Sequence, residues 1–340
     1  MSNNLMAKRT VLDLDYNHSN ITAQLERHLL DWTFTDNLSG EIDDLNIRLE
    51  DTDALWLGAW FPSKGSLLEP TIIRTYWTDN PIKTKLGKFE IDDISGADSV
   101  ITISALATSE SNSLRGEEKC KAWEKATLKK VIGDVARANK LKLVWQTSDN
   151  PKKDRYEQEN ETDLKFIFRL CKDEGLCLKL SSNTLVVLDE SDYEKQPVTE
   201  TIRRKSKETD VIKVIKRSFR NTLTDTYRAC RVTSHNAKKK KTISATFSAP
   251  KAPKVGRTLV IKEDVKSVAE AQRLAKKKLR EKNKNATTMT LEVISNMHID
   301  AGMTFNLVDF GKLNGKYIVT KVVYTQSSIT LDLRRCLEGY

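Results

Sequence analysis

Apolar and polar residues alternate through Trp32 and Phe34, and again through Leu45, Ile47 and Leu49. This period of two buries one face of a strand and leaves the other in solvent. The segment between them, Asn37 to Asp44, carries Ser39-Gly40 among acidic residues and reads as a turn. Asp51, Thr52 and Asp53 end the second strand, and an aromatic-rich link carries Trp56 and Trp60 to Pro62. After Lys64-Gly65 the run Leu67 to Trp77 alternates again as a third strand. IDDISGADSVITISALA, residues 91–107, reads as one further strand, and polar TSESNSLRGEEKC then marks a boundary near residue 108.

Beyond that boundary the period changes. Leu128, Val131, Ile132, Val135 and Ala136 recur at helical spacing, with Thr127 as the cap and Asn139 near the C-terminus. Leu141, Leu143 and Trp145 form a strand. A second helix starts at Glu161 to Asp163, buries Leu164, Ile167, Phe168, Leu170 and Cys171, and ends at Gly175 in a left-handed cap. Strands Leu176 to Leu180 and Leu185 to Leu188 follow across Ser181-Ser182-Asn183, giving a compact α/β unit that closes near Pro197.

From Thr201 the chain is basic, with strands expected at Ile212 to Phe219, Thr226 to Ser234 and Thr242 to Phe247, and the tetralysine 238–241 at a hairpin tip. Pro250, Pro253 and Gly256 mark a loop. Ser267 caps a helix whose Val268, Ala271, Leu274, Ala275 and Leu279 share one face. Strands at Thr287 to Val293, Met303 to Val308, Lys316 to Tyr324 and Ile329 to Arg334 complete the reading.

A chain of 340 residues is long enough for two or three domains of roughly 100 to 150 residues. With 39% apolar and 31% charged residues it has the composition of a globular protein. No apolar run reaches the roughly 18 residues that span a bilayer, and the N-terminus lacks the apolar core of a signal peptide, so synthesis and folding in a cytoplasm are expected. Net charge of +10 conceals a division: residues 1–110 hold 9 Lys/Arg against 18 Asp/Glu, while 195–290 hold 27 against 8. Blocks of opposite sign suggest surfaces with different partners or mutual attraction within an assembly.

Candidate chemistry is sparse. Five cysteines (120, 171, 177, 230 and 336) show no C-x-x-C spacing and read as reduced and packed, and four scattered histidines give no metal motif. Asp43, Asp44, Glu50, Asp51 and Asp53 match neither a glycosidase carboxylate pair nor a calcium loop; they read as a solvated acidic loop or an assembly surface. GKLNGK, residues 311–316, is too short for a phosphate loop and reads as a hairpin turn. The helix after Ser267 carries Arg273, Lys276, Lys277, Lys278, Arg280, Lys282 and Lys284 on several faces, which fits a solvated or partner-facing helix better than a nucleic-acid reader. Trp56 and Trp60 read as core or staple residues rather than as an exposed anchor. No catalytic, cofactor-binding or metal site is expected. The candidate assembly surface comprises Asp43, Asp44, Trp56, Trp60, Lys276, Lys277 and Arg280.

The order of these features resembles the phage late-control protein D family, the baseplate hub of contractile tails and phage-tail-like particles, related to the hub part of type VI secretion spike proteins. In the first segment Phe34, Asp36, Asp43-Asp44-Leu45, Leu49-Glu50-Asp51, Trp60, Pro62 and Gly65 carry the resemblance. In the second it rests on Trp123, Thr127, Leu128, Gln158, Asn160, Glu161, Asp163, Leu164, Phe166, Arg169, Leu170, Gly175 and Leu176, with a departure at Tyr156, where an apolar residue is commoner. Gly302, Phe305, Leu307, Gly315, Lys316, Tyr317, Val319, Thr330, Leu331, Leu333, Arg334 and Arg335 carry it at the end.

The resemblance implies an α+β, mainly β fold: tail-tube-like barrels at 1–108 and 198–340, the latter with the basic helix, flanking an α/β domain at 109–197. It further implies a homotrimer that joins a sixfold tail tube to a threefold spike and starts tube assembly. Its partners would be tube protein, spike and other baseplate proteins, with no membrane and DNA only as lumen cargo. The chain would be found in the bacterial cytoplasm during assembly and then in the baseplate of the particle. A hub of a noncontractile tail, a tail-tip cell-wall hydrolase and a nucleic-acid-binding protein are the alternatives.

Overall fold

The computed structural model describes residues 9–75, 81–107, 114–181, 183–224, 226–236, 241–249 and 256–340. The first third contains β1 (Arg9–Tyr16), β2 (Ser19–Asn20), α1 (Thr22–His28), β3 (Leu29–Asn37), β4 (Asp44–Glu50), β5 (Leu67–Thr75), β6 (Ile82–Lys85), β7 (Phe89–Ala97) and β8 (Val100–Leu106). The middle contains β9 (Glu118–Glu124), α2 (Leu128–Ala138), β10 (Lys142–Gln146), β11 (Arg155–Thr162), α3 (Asp163–Asp173), β12 (Cys177–Ser181), β13 (Thr184–Leu188) and α4 (Glu190–Lys195). The last part contains β14 (Glu200–Arg203), β15 (Ile212–Asn221), β16 (Tyr227–Asn236), β17 (Lys241–Ser248), β18 (Arg257–Lys262), α5 (Val268–Asn283), β19 (Thr287–Ser295), β20 (Thr304–Val308), β21 (Gly315–Thr325) and β22 (Ile329–Arg335). The fold is mainly β with a few helices.

One sheet joins the two ends of the chain. Its strands run β15, β19, β22, β21, β3, β4, β8, β7, and then β5, β1 and β2, with β6 beside β5, β20 beside β21 and β14 beside β20. The seam between first and last thirds is the antiparallel pair β3 and β21, in register from Thr33 opposite Thr325 to Asn37 opposite Lys321. The alternation read at Trp32, Phe34, Leu45, Ile47 and Leu49 places all five in a core shared with Phe305, Tyr317, Val322 and Leu331. The α/β segment has its own core around Leu128, Ile132, Phe166, Ile167 and Leu178. A third lies under α5, where Ala271, Leu274, Ala275 and Leu279 meet Cys230 and Val232 of β16.

Helix ends follow side-chain chemistry. Thr127 and Thr162 accept from the Lys130 and Lys165 backbone N–H groups, each at 3.4 Å, capping α2 and α3. α3 ends in a double closure: Leu176 N–H donates to Cys171 O at 2.8 Å and Gly175 N–H to Lys172 O at 3.0 Å, with Gly175 at φ +66°. A Cβ on Gly175 would also lie 3.3 Å from Lys277 Cβ, so glycine lets α5 approach.

Several expectations are corrected. Residues 91–107 form a hairpin, β7 and β8, rather than one strand, turning at Asp98 with φ 53°. β1, β2, α1, β6, β14, β18 and α4 are additional, and the polar stretches before α2 and α3 hold β9 and β11, which pair with each other. Their side chains are largely polar because this two-stranded ribbon has one face in solvent. Val268 is exposed at the first position of α5, outside its buried face. The turn at 311–313 does join antiparallel β20 and β21. Trp77, Ser182, Pro250, Pro253 and the tetralysine apart from Lys241 lie outside the described residues.

Candidate assembly surfaces

The acidic loop after β3 is an internal junction. Asp43 is buried; its Oδ1 accepts from the Asn37 backbone N–H at 2.8 Å, and its Oδ2 lies 3.2 Å from Lys179 Nζ. Lys179, on β12, also binds Asp36 and donates to Asn37 O at 2.8 Å, while Asp36 Oδ2 accepts from the Ala301 N–H at 2.7 Å. One ammonium therefore holds the α/β unit against the β3–β4 corner. Burial pushes the Asp43 carboxyl up to about 6, with Lys179 working against that rise and Asp36 adding to it. Asp44 is half-buried and also raised by burial. Asp51 is buried too, and its two oxygens accept from the Trp56 and Leu57 N–H groups at 2.8 and 3.0 Å, so it caps the aromatic link. The solvated loop expected here holds for the exposed Glu50 and Asp53 and fails for Asp43 and Asp51, whose backbone partners draw them inward.

α5 is docked onto the α/β unit along its basic side. Arg273 reaches Glu174 at 3.1 Å, Lys277 pairs with Asp149, Arg280 reaches Glu194 at 2.7 Å, and Lys284 reaches Glu190 at 3.3 Å. Lys153 completes the Glu174 site at 2.9 Å. Burial pushes the Glu174 carboxyl up, but the two cations outweigh it and the group sits below its ordinary range. These four cations of the basic block thus meet acids of the middle segment rather than those of residues 1–110. Lys276 remains exposed, its Nζ 5.9 Å from the centre of the Phe247 ring.

Arg334 is the deepest charge, 1% exposed. From β22 it spans Glu190, at 2.6 Å, and Glu194, both on α4. Burial alone would raise the Glu190 carboxyl; Arg334 and Lys284 overcome it and hold the group at about 2.

Trp56 is buried, whereas Trp60 is 40% exposed and packs edge-on to Trp56 and His28 at 5.6 and 5.8 Å. With exposed Phe61, Trp60 borders an apolar depression floored by Leu25, Leu68 and Ile91. Trp60→Ala is expected to cost about 1 kcal/mol, the worth of an aromatic pair with partial burial. Urea unfolding would check it, and unchanged stability would assign the ring to a partner instead.

Of the seven candidate residues, then, Asp43, Trp56, Lys277 and Arg280 are engaged within the chain, Asp44 is half-buried, and Trp60 and Lys276 are accessible. Sequence alone does not single out Lys179, Glu190 or Glu194. Lys179 carries a signal all the same, since Leu178 and Leu180 face the core and the residue between them must point the other way, into the junction. Among the described residues no three His, Cys, Asp or Glu side chains are grouped to hold a metal ion, and no helix is long and apolar enough to cross a membrane.

Among the described residues this arrangement is one of buried ion pairs that lock three cores together. The phage tail baseplate hub (GPD) family model matches residues 101–328, from β8 through to the turn before β22. The chain belongs to that family. Membership places it among phage tail baseplate hub proteins. A probable baseplate hub protein of Escherichia phage 186 is 28% identical over 180 residues, which cover 52% of this chain and 44% of that protein. The match spans less than half of that relative's length. In fold, the chain is similar to the prophage MuSo2 43 kDa tail protein from Shewanella oneidensis, with a TM-score of 0.70 at 12% identity over 96% of this chain and 98% of that one. It is equally similar to a tail protein from Neisseria meningitidis MC58, with a TM-score of 0.70 at 14% identity over 96% and 97%. The hub-family match includes Lys179, Glu190, Glu194 and α5, and stops short of Arg334.

Proposed function

We propose that the chain is a structural hub of a contractile tail, three copies forming a ring that joins the sixfold tail tube to a threefold spike and starts tube assembly. The observation that carries this reading is the family match over residues 101–328, and the sheet that unites the first and last thirds of the chain supports paired tube-like modules. β3, β4, β8, β7, β5 and β1 form the first module and β21, β22, β19, β15, β14 and β20 the second. In the second, β14 lies beside β20 while the Val214 N–H of β15 donates to Ser206 Oγ at 2.9 Å just after β14, which supports curling toward a barrel. The α/β unit, clamped by Lys179 and by α5, would hold the two modules at a fixed angle. Tube protein, spike and other baseplate proteins would be the partners, in the bacterial cytoplasm during assembly and in the baseplate afterwards, with DNA only as cargo of the lumen.

Light scattering at low and moderate salt, with and without co-expressed tube protein, tests the ring. A mass of about three chains is expected; a monomer under every condition would overturn it.

A further inference from the structure

Among the described residues, the α/β unit keeps one strand edge open. Its three-stranded sheet runs β10, β13, β12. At the β12 edge the Leu178 N–H donates to Ser39 Oγ at 3.1 Å and Lys179 binds Asp36 and Asp43, so the β3–β4 corner covers it. β10 pairs with β13 alone, parallel and in register from Lys142 opposite Thr184 to Gln146 opposite Leu188. The Lys142 N–H donates to Asn183 O at 3.0 Å, which turns the backbone of that residue toward β13. Alternation then aims the N–H and C=O groups of Leu143 and Trp145 outward, where no described backbone group meets them. Beside this edge lies a groove of about 440 Å³ between α2 and β10, floored by Gly133, Ala136, Leu141 and Leu143 and rimmed by Lys129 and Arg137. Glycine keeps the groove open, since a Cβ at Gly133 would already touch Leu143 Cδ2 at 3.6 Å. From Thr127 to Gln146 the chain carries five Lys/Arg against one acid, Asp134. That acid is already engaged by Lys130 at 3.0 Å and Arg137 at 3.2 Å. Lys129, Lys140 and Lys142 are exposed and have no ion-pair partner among the described residues.

We propose that β10 takes an extended acidic segment of another protein as a fourth strand, with one apolar side chain of that segment seated in the groove. This goes beyond the hub reading and does not depend on it. Main-chain bonds at Leu143 and Trp145 supply the pairing, as at other sheet edges that capture peptides, and the groove beside them selects the side chain. Leu143 and Trp145 are themselves half-buried, so an added strand finds apolar neighbours on the α2 side of the sheet. Lysines on an edge strand oppose pairing with a like-charged copy of the same edge. Here Lys140 and Lys142, with Lys129 on α2, repel basic segments and attract acidic ones, so the charges that prevent self-pairing also choose the partner. Carbonyls as well as N–H groups face outward along β10. A peptide backbone answers both, whereas the phosphates of a nucleic acid accept hydrogen bonds and donate none.

Fluorescence anisotropy with the full chain and labelled synthetic peptides tests the site. A peptide of sequence EDVLVDE is expected to bind saturably, and at least about tenfold more tightly than KKVLVKK. N-methylation of one alternate set of its residues should abolish binding, while methylation of the other set leaves it intact, because only one row of N–H groups faces β10. Lys129→Glu with Lys142→Glu in one chain should weaken the acidic peptide about tenfold and favour the basic one. Gly133→Leu places a better helix former over the groove; it should weaken binding by a similar factor while urea unfolding shows the fold intact. No saturable binding up to about 1 mM, equal binding of both peptides, or binding indifferent to N-methylation would each overturn the proposal. A lower mass in light scattering for the doubly reversed chain than for wild type would assign the edge to a second copy, and would overturn it as well.

Discussion

Arg334→Ala is expected to lower folding stability by about 3–5 kcal/mol, the cost of stripping one partner from a buried ion pair. The guanidinium lies between two α4 carboxylates with almost no water access, and its Nη2 lies 2.6 Å from Glu190. Glu190 also accepts from Cys177 Sγ at 2.9 Å and meets Lys284 at 3.3 Å, while Glu194 meets Arg280 at 2.7 Å and the Leu337 N–H at 3.1 Å. Removing Arg334 therefore leaves buried carboxylates short of positive charge at the point where β22, α4 and α5 meet. Arg334→Lys should fall between wild type and alanine, because a point ammonium cannot serve two carboxylates as a planar fork does. Adding Glu190→Gln and Glu194→Gln to Arg334→Ala should recover much of the loss. Urea unfolding would measure all three, and an alanine variant within about 1 kcal/mol of wild type would show that the carboxylates reach water once the arginine is gone.

That node also shows what is legible in the sequence. Strand periods locate β3, β4, β12, β13 and β19 to β22 because each buries one face or both, and the Thr127 cap of α2 and the Gly175 end of α3 are legible from local chemistry alone. β9 and β11 are unreadable because a two-stranded ribbon of polar residues has no apolar stripe to announce it. α5 lies where its pattern places it, with its inward face visible at Ala271, Leu274, Ala275 and Leu279. Its lysines and arginines read as solvated or partner-facing because nothing local reveals that Asp149, Glu174 and Glu194, roughly 90 to 130 residues earlier, face them. Likewise Asp43 and Asp44 are neighbours in sequence, yet alternation turns Asp43 inward onto Lys179 and leaves Asp44 at the margin. Period reports which face is buried; it is silent on which distant charge waits there.

Asp43 should make stability depend on pH in the direction opposite to most native carboxylates. Burial raises its pKa to about 6 in the folded chain, against an ordinary value near 3.8, despite the attraction of Lys179. Between those values the folded chain holds a proton that the unfolded chain has released. Stability from this group is therefore greatest at and below about pH 4 and is lost as pH rises through about 6. A gap of that size corresponds to roughly 3 kcal/mol at most. Glu190 runs the other way: its depressed pKa contributes stability above its ordinary range, lost only as pH falls through about 2, so the two windows barely overlap. Asp43→Asn keeps an acceptor for the Asn37 N–H and leaves Lys179 its partner Asp36. The variant should match or exceed wild type at pH 8, and its advantage should shrink or reverse as pH falls from about 6.5 to 4. Paired urea titrations at several pH values isolate the junction from the carboxylates that do not share Lys179 with Asp43. A difference independent of pH would mean that Lys179 keeps Asp43 ionised throughout, so that the α/β unit is pinned to the β3–β4 corner by a full ion triad rather than by a proton-sharing one.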